Sequence, residues 1–347
     1  GGGTGTSSEA PFVEGGVSFI LSPDKLDITV KVTTSGGTSV TVEGCTVTTF
    51  TSDTETTLHA KDILVILKGK ITELKCYSNQ LTELNVQGLT ALQKLDCDKN
   101  QLTALDVQDL TALQYLTCSD NQLTALDVQG LTALQGLFCY RNQLIEFNVQ
   151  DLTALQYLRC ADNQLTALNV QGLIALKELG CYGNQLTALN VQGLSALQWL
   201  QCNGNKLTEL NVQGLTALQW LYCDSNKLTS LNVQGCTALQ RLHCQTNQLA
   251  TLNVQGFTAL RELYCRNNRL TALNVQGLTA LVELSCSGNG LTTLEVQGCV
   301  SLQWLWCYSN RLNAEVFIKI FNDLFTHGKA ACWLYTEETG VTEGNHT

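Results

Sequence analysis

Twelve cysteines recur at an unbroken interval of 21 residues, beginning Cys76, Cys97, Cys118 and ending Cys265, Cys286, Cys307. No insertion or deletion interrupts the series, and repetition this strict fits a stack of like units. A length of 347 residues alone would suggest about two domains. One unit, Leu92 to Leu113, reads LQKLDCDKNQLTALDVQDLTAL. Leu95 and Cys97 are two residues apart, so in a strand they point to the same side, and Leu105 and Val107 repeat the pattern. Each unit therefore holds two short strands and two turns, with no stretch long enough for a full helix. Stacking sets every apolar residue about 4.8 Å from its twin. A single unit cannot bury its leucines but the stack can, each contributing on the order of 1.5–3 kcal/mol before ordering entropy.

Two further columns follow from the period. Asn79, Asn100, Asn121 and their successors to Asn310 form an unbroken series after the first strand. An amide carries donors and an acceptor, so it can satisfy turn backbone that water does not reach. The cysteine column allows three readings. Metal binding is disfavoured by the absence of C-x-x-C and of a neighbouring histidine. Bridges between adjacent turns have the right separation, but parallel side chains in register point the same way. Small apolar core residues remain the favoured reading. Cys45, Cys236, Cys299 and Cys332 lie outside the column and stay undecided, so cysteine content does not fix the redox compartment.

The front half of the unit, Leu92-x-x-Leu95-x-Cys97-x-x-Asn100-x-Leu102, resembles the leucine-rich-repeat signature with Cys in one Leu slot. With N-Q-L-T next and L-x-V closing a second strand, it looks like the treponemal-type, Cys-containing bacterial subfamily. The resemblance covers residues 71–312. It implies a leucine-rich-repeat solenoid, a horseshoe or arc that is mainly parallel β with little helix and capped at both ends. It also implies an exported binding protein, at the cell surface, in the periplasm or secreted, with a role in adhesion. In such relatives Asn or Cys is expected where Leu89, Leu110 and Leu131 stand; only Cys236 and Cys299 fit, so a second Asn ladder is missing.

The ends differ from the repeats. Residues 1–16 are rich in Gly, Ser and Thr and read as a linker or disordered. Residues 17–70 read as a β-rich N-terminal cap: Leu26, Ile28, Val30 and Val32 alternate, then Val40 and Val42, with a turn at Ser35-Gly36-Gly37-Thr38. Ile63 and Val65 match the slots of Leu84 and Val86, a partial repeat leading into the stack. Residues 313–347 read as a helix-plus-strand C-terminal cap and tail, with Val316, Phe317, Ile320, Phe321, Leu324 and Phe325 at helical spacing as core, Asn313 as cap, Gly328 as terminator and Cys332 to Tyr335 as a final strand.

Function is sought where the repeats disagree. The residue eleven after each Cys is Gln in every full unit, Gln87 to Gln297, whereas the first strand's outward positions vary. By parity these positions face the inner side of the arc. They carry 13 of the 23 aromatic residues, and Trp and Tyr favour binding hot spots. The expected binding face comprises Tyr115, Phe138, Tyr140, Arg141, Tyr157, Arg159, Tyr182, Trp199, Trp220, Tyr222, Arg241, His243 and Tyr264. The competing reading is that aromatics merely stabilise the sheet. Trp304, Trp306 and Tyr308, in the last unit, are expected beneath the C-terminal cap. A net charge of −10 without a basic cluster argues against nucleic acid, and no apolar run suits membrane insertion. His59, His243, His327 and His346 are scattered without a nucleophile beside them, so no catalytic residue, metal or cofactor is assigned. The reading is a non-catalytic recognition module for a protein partner, a host or matrix protein. Self-association into a homo-oligomer through the same face and carbohydrate binding are the alternatives. The chain opens on Gly1, as a processed or expressed form would, so the lack of an export signal carries no weight.

Overall fold

The computed structural model describes residues 9–325 and 332–336. The fold is a leucine-rich-repeat β-solenoid of about eleven turns, with one α-helix among the described residues. The chain divides into two units, residues 1–173 and 174–347.

In the first unit, strands Ile71–Lys75, Lys94–Asp96, Tyr115–Thr117, Gly136–Phe138 and Tyr157–Arg159 pair in parallel register. Leu74, Leu95, Leu116, Leu137 and Leu158 form one buried file, and Cys76, Cys97, Cys118, Cys139 and Cys160 form the next. The second unit repeats this from Glu178–Gly180 to Trp304–Trp306, with Leu179 to Leu305 and Cys181 to Cys307 fully buried. Thiols thus turn inward and the alternate positions outward, as parity requires.

The turn after each first strand is closed by the asparagine column. Asn100 donates Nδ2–H to the carbonyls of Cys97 (2.9 Å) and Cys76 (3.1 Å). Its Oδ1 accepts the N–H groups of Leu81 and Asn79, both at 3.0 Å. Asn121, Asn142 and Asn163 repeat the pattern in the first unit, as do Asn205 to Asn310 in the second.

The second strand is less regular than the sequence implies. It forms at Glu83–Asn85, Glu209–Asn211, Ser230–Asn232, Ala272–Asn274 and Thr293–Glu295. Elsewhere the alternation of burial persists without a backbone ladder. The invariant glutamine explains how. Gln87, Gln108, Gln129 and Gln150 donate Nε2–H to the carbonyls of Asp106, Asp127, Asn148 and Asn169 in the following turn. In the second unit Gln192 and Gln255 do the same for Asn211 and Asn274. Where the main chain supplies the donor instead, as in Val212 N to Asn232 O (3.0 Å) and Val275 N to Glu295 O (2.9 Å), the glutamine pairs with a side chain. A second ladder therefore exists, built from Gln rather than Asn. Leu89, Leu110 and Leu131 fill the expected amide slot and are buried, while Cys236 and Cys299 donate S–H to the carbonyls of Val212 and Val275, each at 3.1 Å.

The ends also depart from expectation. Of the segment read as linker, residues 1–8 lie outside the described residues, whereas the backbone of Ala10 is held by Glu83 Oε2 (3.0 Å) and Asn85 Nδ2 (3.2 Å). Strand Gly16–Ile20 lies antiparallel between Leu64–Lys68 and Glu83–Asn85. The partial repeat is thus separated from its successor by an inserted strand. Asp27–Thr34 runs antiparallel along Ile71–Lys75 and covers the open end of the stack. At the other end Asn313 Oδ1 caps helix Ala314–Phe325 through Val316 N at 3.0 Å. Only Ile320 and Leu324 of its apolar residues are buried; Phe321 and Phe325 stack on one another in the open. Val316 and Phe317 are half-buried, and Ile318 is exposed with the two phenylalanines. Gly328 and the histidines at 327 and 346 lie outside the described residues. No helix among the described residues is long and apolar enough to cross a membrane.

Two outcomes test this architecture. Asn121→Ala leaves the buried Leu102 N–H without its acceptor and takes one of two side-chain donors from each of the Cys97 and Cys118 carbonyls, and should lower unfolding free energy by about 2 kcal/mol in a urea titration. All sixteen cysteines are thiols, fifteen of them buried, and burial raises ladder thiols such as Cys181 and Cys265 to about 12. An alkylating reagent at about pH 8 should label only Cys332 in the native protein, with the rest reacting upon unfolding, counted by mass spectrometry.

Candidate functional site

The outward residues of the first strands form two clusters, one per unit. In the first, Gly136 makes the arrangement. A Cβ there would lie 2.7 Å from Cδ1 of Tyr115 and 2.9 Å from Cε2 of Phe138. The glycine thus leaves the space into which both rings lean. Lys94 Nζ stands over Tyr115 (5.9 Å), the Arg159 guanidinium over Phe138 (5.7 Å) and that of Arg141 over Tyr140 (5.8 Å). Tyr115 Oη donates to Gln135 Oε1 at 3.2 Å. Arg141 sits in the left-handed region at φ 53° and reaches Asp120 (3.4 Å) and Asp162 (4.0 Å). Tyr157 lies half-buried in the same outward column as Tyr115.

Beside this cluster Asp96 and Asp98 flank Cys97 in one turn and Asp120 stands in the next. Burial, reinforced by Asp96 and Asp120, pushes the Asp98 carboxyl up to about 7, although Ser119 N donates to it at 2.6 Å. The Ser119 hydroxyl oxygen in turn accepts Tyr140 N at 3.1 Å.

In the second unit Trp199 and Trp220 meet edge to face, centroids 6.2 Å apart at 89°. The Arg241 guanidinium lies over Trp220 at 5.2 Å, donates to Tyr222 Oη at 3.5 Å and pairs with Glu262 at 3.1 Å. His243 is sandwiched: Tyr222 lies at 4.6 Å on one side and Tyr264 at 4.3 Å on the other, the latter stacked nearly parallel at 13°. Its Nε2 contacts Glu262 at 3.1 Å rather than Asp224 in the neighbouring turn. Tyr264 Oη donates to Glu283. Burial holds His243 below its usual value despite Glu262. Trp306 stacks on Tyr335 at 5.4 Å, where strand Trp333–Tyr335 continues the sheet beyond Trp304–Trp306. Tyr182 is half-buried in the outward column one residue after the cysteines.

Of the thirteen expected residues, Tyr115, Phe138, Tyr140, Arg141, Tyr157 and Arg159 lie in the first unit and the other seven in the second. Sequence reasoning missed Glu262 and Gln135, which bind diagonally, 19 or 20 residues along. Diagonal pairing follows from strand register, but the rotamers that decide it leave no trace in the repeat.

The structure is similar to that of the functional domain of InlJ from Listeria monocytogenes, which includes a cysteine ladder. That likeness has 29% identity, a TM-score of 0.56, and coverage of 73% of this chain and 67% of that one. The Leptospira interrogans LRR protein LIC12759 is 25% identical with a TM-score of 0.51, covering 75% of this chain and 82% of that one. The internalin InlF of Listeria monocytogenes shares the fold at 22% identity and a TM-score of 0.64, with 77% and 81% covered. No protein-family model and no curated protein sequence matches the chain.

The raised Asp98 generates a pH prediction. Its carboxyl holds a proton more tightly folded than unfolded, so its favourable contribution is complete below about pH 4 and lost as pH rises through about 7. Asp98→Asn retains an acceptor for Ser119 N and removes this dependence. Relative to wild type the variant should gain thermal stability progressively between about pH 4 and about pH 7; a constant difference across that range would contradict the assignment.

Proposed function

We propose that the outward first-strand face recognises a protein partner, and that the chain works outside the cytoplasm as a bacterial surface or secreted binding module. The observation that carries the reading is where the variation sits. Asparagine, cysteine, leucine and glutamine columns repeat almost unchanged because each closes a turn or fills the core. The outward positions are free of that constraint, yet they gather 13 of the chain's 23 aromatic residues. Strand pairing alone does not require Trp199, Trp220, Tyr222, Arg241, His243 and Tyr264 within one cluster.

The ring geometry favours a protein over a glycan. A sugar stacks on an open aromatic face. Here Tyr115, Phe138, Tyr140 and Trp220 each carry a cation over the ring, His243 stacks on Tyr264, and Tyr222 tilts against His243. What remains for a partner is ring edges, phenol hydroxyls and guanidinium edges, the contact chemistry common in protein interfaces. Rings locked by neighbours also lose little entropy on binding. The setting outside the cytoplasm is the one implied by the resemblance to Cys-containing bacterial leucine-rich-repeat proteins.

The test is selection from a displayed peptide library, compared between wild type and Trp199→Ala/Trp220→Ala/Tyr222→Ala. Selected peptides should bind wild type saturably and the triple variant at least about 10-fold more weakly, with both proteins melting within a few degrees of each other. Equal binding by the folded variant, or binding confined to a glycan array, would remove the proposal.

A further inference from the structure

In residues 174–347 the outward column immediately after the cysteines runs Asn203, Asp224, Gln245 through three successive turns. The register that pairs Gln201 with Tyr222 and Tyr222 with His243 continues into it, because Gly204 N donates to Asp224 O (3.1 Å) and Ser225 N to Gln245 O (3.0 Å). The three side chains thus emerge in line about 4.8 Å apart. All three are acceptors in the positions that matter. Asn203 Oδ1 and Gln245 Oε1 are closed off from solvent and meet no hydrogen-bond donor among the described residues. Asp224 between them is half-buried and makes no ion pair among the described residues; Ser225 Oγ approaches its Oδ2 at 3.4 Å.

The same column in the first unit behaves differently. There Asp98 takes the backbone N–H of Ser119, and the Ser119 hydroxyl takes that of Tyr140, so the column supplies its own donors. Asp224 has only its own backbone N–H and the Ser225 hydroxyl as donors, and the amide oxygens of Asn203 and Gln245 have none among the described residues. Buried acceptors without donors are costly, and native structures retain them where something else pairs them. Burial raises the Asp224 carboxyl, with His243 and Arg266 opposing the rise without contacting it closely enough to pair. Asn203 and Gln245 are half-buried as residues, so their side chains border the surface.

We propose that Asn203, Asp224 and Gln245 form a subsite for an arginine side chain presented by the protein partner. A guanidinium carries five N–H donors in a planar fork and spans successive acceptors that a single ammonium does not. One carboxylate and two amides are a poor set for a divalent cation, and no group of three His, Cys, Asp or Glu able to hold a metal occurs among the described residues. The net charge of −10 draws a basic partner toward the chain. Tyr222 and His243 stand in the adjoining column, and their ring edges flank the arginine stem. This inference rests on the first-strand face being the binding face.

The experiment is isothermal titration of a hexa-arginine peptide into wild type, Asp224→Asn, and Asp109→Asn, which removes an equal charge from the first unit. Wild type and Asp109→Asn should bind one peptide with equal affinity, and Asp224→Asn at least about 10-fold more weakly with an unchanged melting temperature. The carbon-13 resonance of the Asp224 carboxyl should move on addition of peptide to wild type. Equal binding by all three proteins, equal weakening by both substitutions, or a stationary carboxyl resonance overturns the subsite. The triple aromatic variant separates the two readings: if it loses library peptides while Asp224→Asn keeps hexa-arginine, the face stands and the subsite falls.

Discussion

Backbone groups stranded inside a narrow solenoid set the terms for this fold. Each turn of 21 residues reverses direction twice around the core, where water is excluded and an unpaired N–H or C=O costs about 1–3 kcal/mol. The asparagine ladder meets this cost on one side. Each amide binds carbonyls in its own turn and the one before it and accepts an N–H as well, so each turn is completed by its successor. Stability is consequently shared between neighbours, and an end without a neighbour needs a cap. The antiparallel strands Asp27–Thr34 and Gly16–Ile20 supply that at the start.

The glutamine ladder answers the same need on the opposite side by a different route. Main-chain ladder and glutamine Nε2 both supply donors to the following turn, and turns such as those of Gln213 and Gln276 use the main chain while their amides pair with side chains. This accounts for a residue type that is invariant although exposed. It also accounts for the intermittent second strand, because a turn tied to its successor through a side chain does not need the backbone ladder. The buried thiols play no comparable bonding role in most turns. They fill a buried slot beneath the asparagine turn, and desolvation keeps them protonated.

With both flanks occupied by structural columns, the outward first-strand positions are where the chain is free to differ between repeats. The two clusters use that freedom unequally. The first is self-contained: cations cover its rings, Gly136 seats them, and its acidic column finds donors in the backbone. The second holds the larger aromatics and leaves acceptors in Asn203 and Gln245 without donors. In both clusters the rings are held by contacts with neighbouring side chains.

Period and parity alone determined the turn, the buried Leu and Cys files, the asparagine ladder, the helix near residue 320 and the membership of the outward columns. These are properties of spacing, and spacing is written in the chain. Tertiary structure decided which neighbour each side chain would reach. Gln87 meets the carbonyl of Asp106, Glu262 rather than Asp224 holds His243, and Phe321 and Phe325 stay exposed. It also decided that Gly16–Ile20 enters between two strands that the sequence places in succession. Such outcomes depend on diagonal contacts and on rotamers chosen among several neighbours at once, and no single repeat encodes them.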